Sequence, residues 1–178
     1  MKILITGRPG IGKTTVVKRL IELCRNMGLK VGGMISYEVR EHSRRVGFKI
    51  LDIASNKEGI LAWVGLPGSL RVGKYTVNIK DLNEIGVNAI RRAIEEDDIV
   101  VIDEIGPMEL FSDYFKKIVE KAFNSKKIVI ATIHIKADRY PFARKIKRRP
   151  DVKIFVVNLA NRKFLHKEIF NLIKSYHY

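Results

Sequence analysis

Residues 7 to 14 form a glycine-rich segment of a kind that binds phosphates. Gly7-Arg8-Pro9-Gly10-Ile11-Gly12-Lys13-Thr14 matches the pattern G-x-x-x-x-G-K-[ST] at every fixed position. An apolar, strand-like run from Ile3 to Ile5 precedes the segment, and a helix-like segment follows it. In such a loop, backbone N–H groups and the positive end of the helix dipole point at the anion. The pattern therefore predicts a phosphate-binding site that extends from Gly7 to Thr15.

The polar side chains of this loop suggest magnesium and nucleotide chemistry. Lys13 should reach the β and γ phosphates of a nucleoside triphosphate, and the Thr14 hydroxyl should ligate Mg²⁺. Arg8 and Pro9 occupy variable positions of the motif, where the fixed φ of Pro9 stiffens the loop.

Two adjacent acids form a second candidate for chemistry. Asp103 and Glu104 directly follow the apolar run from Ile99 to Ile102, which reads as a buried strand. Ligands of open parallel sheets bind at the carboxyl ends of the strands. Asp103 suits the outer shell of the magnesium site, and Glu104 can orient or deprotonate an attacking water. We therefore expect Lys13, Asp103 and Glu104 to be the catalytic residues.

A charge that develops on the γ phosphate needs a cation in addition to Lys13. The candidates lie in a basic stretch with Arg139, Arg144, Arg148 and Arg149, or in an earlier segment at Arg40, Arg44 and Arg45. Three interpretations of the basic stretch stay open: a lid that carries an arginine finger, a nucleic-acid patch, or a solvated helix face.

Four other polar positions carry weaker signals. Glu109 lies near the acids in sequence, and either a place beside the metal or a structural role fits it. Thr132 and His134 end the next strand, where structural roles are favoured over sensing of the γ phosphate. The histidines show no metal-ligand spacing, so zinc is not expected. Trp63 lies in an apolar run and is read as core.

The apolar periodicity predicts elements that hold these residues at one sheet edge. Strands are expected at 3–5, 31–39, 46–53, 60–64, 75–79, 99–102, 128–133 and 152–157, and helices at 13–27, 81–95, around 115–122, at 138–146 and at 161–176. The alternation of strands and helices predicts an α/β fold with a mainly parallel central sheet flanked by helices. Residues 30–80 read as a β-rich insertion within a single domain spanning 1–178.

Composition excludes several classes of protein. Charged residues make up 30% of the 178-residue chain, and no run of 18 apolar residues exists, so no membrane span is expected. The first strand begins too early for a targeting peptide, which favours the cytoplasm. The single Cys24 lies on an apolar helix face and is read as a core thiol. The absence of Gln is typical of thermophiles.

The residues after the acids suggest a family. Asp103-Glu104-Ile105-Gly106-Pro107-Met108-Glu109-Leu110 resembles the D-E-I-G-x-M-E-L signature of small nucleoside-triphosphatases first described from thermophiles and shared with the human cancer-related nucleoside-triphosphatase. Residues 38–41 and 44–48 resemble that family's E-V-R-E and R-R-V-G-F stretches. The resemblance implies a RecA-like variant of the P-loop NTPase fold and slow, magnesium-dependent hydrolysis of ATP, GTP, CTP and UTP to diphosphate and phosphate.

Two rival functions remain at this point. A small P-loop kinase would suit the basic stretch as a lid, but Glu104 beside Asp103 favours water as the acceptor, and residues 30–79 show no acceptor-binding helix pair. A nucleic-acid-dependent ATPase would suit the net charge of +15, but the chain has no RNA motif or helix-turn-helix pattern. We expect nucleoside triphosphates as ligands and a monomeric chain, and we do not favour nucleic acid.

Overall fold

A single nine-stranded sheet runs through the computed structural model, which describes residues 1–177. The strand order is β5-β6-β4-β3-β2-β7-β8-β1-β9. The strands are β1 (Lys2–Thr6), β2 (Val31–Glu41), β3 (Arg44–Asp52), β4 (Glu58–Val64), β5 (Arg71–Val72), β6 (Tyr75–Val77), β7 (Ile99–Ile105), β8 (Ile128–Ile133) and β9 (Val152–Val156). Strands β2, β7, β8, β1 and β9 pair in parallel, and β2 to β6 pair antiparallel.

Helices cover both faces of the parallel strands. They are α1 (Lys13–Asn26), α2 (Ile79–Asp81), α3 (Asn88–Glu96), α4 (Asp113–Asn124), α5 (Pro141–Lys147) and α6 (Leu165–His177), with a π-helical segment at Leu82–Val87 and 3₁₀ turns at Glu109–Phe111 and Ala137–Arg139. Helices α1 and α6 pack on one face of the sheet, and α3, α4 and α5 pack on the other. The predicted α/β fold is confirmed.

Apolar side chains hold these layers together. Ile3 and Ile5 of β1 face the helices α1 and α6, whereas Leu4 faces the opposite core with Phe115 of α4. All four side chains are fully buried, and each contributes about 1.5–3 kcal/mol by leaving water. Cys24 is also fully buried, as the sequence predicts. In the described part of the chain, no helix is long and apolar enough to cross a membrane.

The predicted insertion is continuous with the central sheet. The first residues of β2, Val31 to Ile35, pair in parallel with β7, and the same strand then continues to Glu41 as the partner of β3. The pairing of β2 with β7 requires a glycine at position 33, because a Cβ there would lie 2.0 Å from the Val101 carbonyl oxygen. Residues 30–80 therefore widen the parallel sheet by four antiparallel strands.

The helix predicted at 81–95 begins at Ile79 and contains the π-helical segment Leu82–Val87 before α3. Two further differences from the predicted helices have local reasons. The segment predicted as a helix at 138–146 is divided, because Pro141 can occupy the first turn of α5 but cannot continue the 3₁₀ turn before it. The last helix begins at Leu165 and not at Asn161, because Asn158 and Asn161 bond each other's backbone N–H groups in a turn, each at 2.9 Å.

A buried carboxylate fastens α3 to the widened part of the sheet. Asp52 ends β3 with 4% of its surface exposed, and it accepts hydrogen bonds from Arg92 of α3 at 2.6 Å and from the Ser55 hydroxyl at 2.6 Å. Burial by itself would raise the pKa of Asp52. The hydrogen bonds from Arg92, Ser55 and the Ala54 amide outweigh burial and lower that pKa below its usual value.

We predict that Asp52→Asn lowers the free energy of unfolding by about 2 kcal/mol at pH 7, since charged hydrogen bonds are lost in a buried place. The folded-state pKa is depressed, so the contribution is complete above the unfolded value of about 3.9 and disappears as the pH falls through the folded pKa. Denaturant unfolding of both proteins should therefore show a difference that shrinks below about pH 4.

The matched control is Glu95→Gln on the same helix. Glu95 is 56% exposed and pairs with Lys121 at 3.6 Å, so its loss should change stability by less than about 0.5 kcal/mol. Equal losses in the two variants, or an Asp52 effect that persists unchanged at low pH, would contradict this account.

Candidate active site

A cavity of about 620 Å³ opens at the carboxyl ends of the parallel strands. Its walls come from three parts of the chain. The phosphate loop contributes Pro9, Gly10, Gly12, Lys13, Thr14 and Thr15; the ends of β7 and β8 contribute Asp103, Glu104, Pro107, Met108, Glu109 and His134; and strands β2 to β6 contribute Ser36, Tyr37, Glu38, Arg45, Phe48, Leu61, Val72, Gly73 and Tyr75. The structure thus brings the phosphate loop and the two acids together.

The phosphate loop has the backbone that its sequence predicts. Gly10 and Gly12 have φ values of 75° and 113°, which side chains other than glycine rarely adopt, and Gly12 caps the start of α1. Lys13 is 9% exposed, and its Nζ donates to the Gly7 carbonyl at 3.2 Å. Arg8 points to solvent and is not part of the cavity wall.

Asp103 joins the phosphate loop to two neighbouring strands. Its Oδ2 accepts a hydrogen bond from the Thr14 hydroxyl at 2.7 Å, and its Oδ1 accepts one from the Thr132 hydroxyl of β8. Burial raises the pKa of Asp103 to about 6, and the two hydroxyl groups oppose that rise. Thr132 therefore acts on the phosphate site through Asp103, a partner that the sequence did not indicate.

Two further acids lie in the same wall. Glu104 Oε2 is 3.6 Å from Lys13 Nζ, and burial raises the pKa of Glu104 although the Lys13 charge lowers it. Glu109 is buried beside it, and burial together with the nearby Glu104 charge raises its pKa well above the usual value. Gly106 makes this proximity possible, because a Cβ there would lie 2.8 Å from Glu104 Oε1 and 3.1 Å from Glu109 Oε2.

The donor atoms at this point fit a magnesium ion. Within residues 1–177, no three His, Cys, Asp or Glu side chains converge as a metal site. Mg²⁺ does not need such a cage, because it keeps several waters and uses one or two protein oxygens together with substrate phosphates. The Thr14 hydroxyl and the Asp103 carboxylate, in contact at 2.7 Å and placed at the phosphate loop, offer two such oxygens.

The predicted arginines lie in different places. Arg45 lines the cavity, whereas Arg139, Arg144, Arg148 and Arg149 do not. Arg149 bonds Asp151 at 2.9 Å and the Phe123 carbonyl at 3.0 Å, just before β9 and at the amino edge of the sheet. Arg139 follows β8 at the carboxyl edge, where its charge adds to burial, Lys13 and Lys136 in lowering the pKa of His134.

The sequence did not indicate the apolar part of the wall. Phe48, Leu61, Val72 and Tyr75 come from four strands of the widened sheet and converge only through antiparallel pairing. Trp63 of β4 is half-buried, so its predicted place in the core is wrong. It lies opposite Gly47 of β3, where a Cβ would be 2.1 Å from its Cε3 atom. His134 lines the cavity, and its Nδ1 accepts a hydrogen bond from the Lys136 amide at 3.1 Å.

Known proteins resemble this chain over almost its whole length. A family model described as NTPase matches residues 2–170. Nucleoside-triphosphatase THEP1 of Thermotoga maritima is 52% identical over 174 residues, covering 98% of this chain and 96% of the relative. Its counterpart from Methanothermobacter thermautotrophicus is 46% identical over 177 residues, covering 99% of this chain and 98% of the relative.

Two solved structures share the fold over nearly their whole length. The crystal structure of THEP1 from the hyperthermophile Aquifex aeolicus superimposes with a TM-score of 0.86 at 34% identity and covers 97% of this chain and 98% of its own. The solution structure of a human cancer-related nucleoside triphosphatase gives 0.83 at 33% identity and covers 98% and 97%.

A phosphate loop between β1 and α1, with acids at the end of β7, defines the class of P-loop NTPases. The chain belongs to the nucleoside-triphosphatase family whose model matches it, and it is therefore a hydrolase. The family inferred from the residues around Asp103 is thereby confirmed.

The positions of the arginines lead to a prediction. Arg45→Ala should lower kcat about tenfold, because Arg45 is a cation in the cavity wall but is already engaged by Glu38 and Tyr75. Arg149→Ala should leave kcat within about twofold and lower the free energy of unfolding by about 1 kcal/mol, since it loses structural hydrogen bonds. Steady-state kinetics and denaturant unfolding measure both effects. A large kcat loss in Arg149→Ala alone would reverse the assignment.

Proposed function

We propose that the protein hydrolyses nucleoside 5'-triphosphates, including ATP, GTP, CTP and UTP, to diphosphate and phosphate with Mg²⁺ as the cofactor. One observation carries the proposal: Lys13, Thr14, Asp103 and Glu104 meet at one point of the cavity wall. A cationic side chain, two magnesium-type oxygens and a carboxylate beside them are the groups that phosphoryl transfer requires.

The roles follow from position. Lys13 extends from the start of α1 towards Glu104, so a triphosphate held by the loop places its γ phosphate near both side chains. Thr14 and Asp103 would hold a magnesium ion, which would supply charge neutralisation for the phosphates. Glu104 is the group that accepts a proton from the attacking water. Its pKa, raised by burial, makes the carboxylate a better base than an exposed glutamate.

Broad use of the four nucleotides fits the way in which the phosphates are held. The loop binds them through backbone N–H groups and Lys13, and none of these contacts distinguishes one base from another. A site whose affinity comes from phosphates and magnesium discriminates weakly among bases, because specificity needs hydrogen bonds to the base edges.

We predict that Glu104→Gln lowers kcat at least about a hundredfold while nucleotide affinity persists, since general-base catalysis contributes about 10² to 10⁴. Lys13→Ala should abolish hydrolysis, and Glu22→Gln, an exposed acid on α1, should be indistinguishable from wild type. Single-turnover kinetics measure the rate of hydrolysis, and fluorescent-nucleotide binding measures the affinity. Normal turnover in Lys13→Ala would remove the site assignment.

A second prediction concerns substrate and metal. With Mg²⁺ present, the kcat/KM values for ATP, GTP, CTP and UTP should agree within about tenfold, a difference of about 1.4 kcal/mol. Removal of divalent cations with EDTA should abolish phosphate release, and added Mg²⁺ should restore it. A thousandfold preference for one base, or full turnover in EDTA, would contradict the proposal.

A further inference from the structure

The cavity extends beyond Lys13, Asp103 and Glu104, and this further part is lined mainly by apolar side chains. We name this part the aromatic basin and define it by six residues: Arg45, Phe48, Leu61, Val72, Tyr75 and Met108. Five of them lie on the antiparallel strands β3 to β6, and Met108 lies in the loop that follows the catalytic acids. The basin is therefore built by the widened sheet, opposite the phosphate loop.

The aromatic basin is held in shape by its own contacts. The Phe48 and Tyr75 rings meet edge to face with centroids 5.2 Å apart. The Arg45 guanidinium lies over both rings, 5.1 Å and 5.4 Å from their centres, and is fixed by the Tyr75 hydroxyl at 2.9 Å and by Glu38 at 3.3 Å. Glu38 is shared with Arg40, whose Nε donates to its other oxygen at 2.8 Å, so the Arg45 guanidinium keeps positive charge beside the rings.

The attacking water of hydrolysis does not by itself fill such a compartment. A water molecule occupies about 30 Å³ in the liquid, and it attacks the γ phosphorus in line with the leaving oxygen. Lys13, the cation proposed to contact the γ phosphate, lies 3.6 Å from Glu104 at the end of β7, so a bound triphosphate would direct its γ phosphate to that side. On one side of β7 the sheet continues with β2 and β3, which lead to the basin. On the other side it continues with β8 and β1, and the phosphate loop follows β1. The basin thus faces the attacking side of the phosphate.

A molecule in the basin reaches the catalytic base through a short connection. Met108 lies four residues after Glu104, and its side chain, like that of Phe48, packs against the cluster of Ala62, Tyr75 and Val77. Glu104, Glu109 and Met108 line one continuous cavity with these rings. A hydroxyl on a ring bound over Met108 is therefore directed to the place where Glu104 holds the attacking water.

We infer that the aromatic basin binds an aromatic or heteroaromatic alcohol, and that the γ phosphoryl group is transferred to its hydroxyl as a second activity. This inference rests on the proposed function. Glu104 accepts the O–H proton while the alcohol oxygen bonds to the γ phosphorus. The bond between that phosphorus and the bridging oxygen breaks, and the nucleoside diphosphate leaves with the bonding electrons. The products are a phosphate monoester and a diphosphate, and no other reactant is required.

The lining selects the chemical class of the acceptor. The half-buried Phe48 ring and the Arg45 guanidinium, which lies over Phe48 and Tyr75, favour a second flat ring through aromatic contact and cation–π attraction. Leu61 and Val72 offer no hydrogen bonds, so a polyol or a sugar would lose its water contacts without replacement. A neutral ring that carries one hydroxymethyl group meets these conditions.

The test uses the complete protein with MgATP and two probe alcohols, benzyl alcohol and 3-pyridinemethanol, with glycerol as the non-aromatic control. A ligand of this size binds with a Kd of about 1 mM, so about 10 mM fills the basin. ADP and phosphate are quantified, and ³¹P NMR detects the phosphate ester. We expect the ratio of ADP to phosphate to rise from one to about two or more with the aromatic alcohols at that occupancy, and to stay at one with glycerol.

Variants connect the activity to the basin. Phe48→Leu keeps apolar volume but removes the ring, and it should lower the ratio of ester to phosphate about fivefold, as expected for a lost aromatic contact of about 1 kcal/mol. Phe48→Ala should lower the ratio further where the protein stays folded. Tyr114→Ala removes an aromatic ring that is 64% exposed on α4, and both products should be unchanged.

Each remaining outcome is decisive. ADP formation with a ratio of one for both probes overturns the acceptor site and leaves the hydrolase intact. A rise in the KM for ATP without ester shows that the probes compete with the nucleoside, which assigns the basin to the base and overturns the inference. If the Phe48→Leu variant forms as much ester as the wild-type protein, the acceptor binds outside the aromatic basin. No ADP under any condition contradicts the proposed function itself.

Discussion

The site depends on the hydrogen bonds that the buried carboxylate of Asp103 accepts. Asp103 is 1% exposed, and a charge placed there without partners would cost several kcal/mol. The hydroxyls of Thr14 and Thr132 reduce that cost, and in doing so they fix the start of α1 and the end of β8 relative to β7. Two hydrogen bonds thereby bring separate elements of the chain to one place and hold oxygen atoms ready for a metal.

The parallel order of the strands supplies the rest of the frame. Because β1, β7 and β8 point the same way, their carboxyl ends share one edge, and the phosphate loop lies there together with the acids. Strand β2 extends this edge: Ile35 pairs with Asp103, and the next residues of the same strand enter the cavity wall. The fold thus joins the phosphate chemistry to the aromatic side of the cavity through one strand.

Features formed by residues that are adjacent in the sequence could be predicted, whereas features that depend on the pairing of distant strands could not. The phosphate loop is a local pattern flanked by a strand and a helix, and the strand at Ile128–Ile133 was predicted with its observed bounds because its apolar run is uninterrupted. The acids were placed at a strand end by the same logic. Thr132 was ranked as structural, because nothing local shows that it reaches Asp103.

The cavity wall from β3 to β6 was missed for the same physical reason. Phe48 and Tyr75 are separated by 26 intervening residues, and only the antiparallel register brings their rings together. The sequence also leaves three interpretations of the basic stretch open. A dense run of cations suggests a lid, but Arg149 is consumed by local contacts with Asp151 and the end of α4, which charge alone cannot reveal.

The unbroken backbone ladder from β5 to β9 has a mechanical consequence. Since β2 is shared by the parallel and antiparallel halves, the wall that carries Phe48 cannot tilt away from Asp103 without the rupture of main-chain hydrogen bonds along a whole strand. One continuous sheet therefore carries both the carboxylates of β7 and the opposite wall of the cavity. Divergence among relatives can then act by exchange of side chains on that sheet, with the reactive centre left undisturbed.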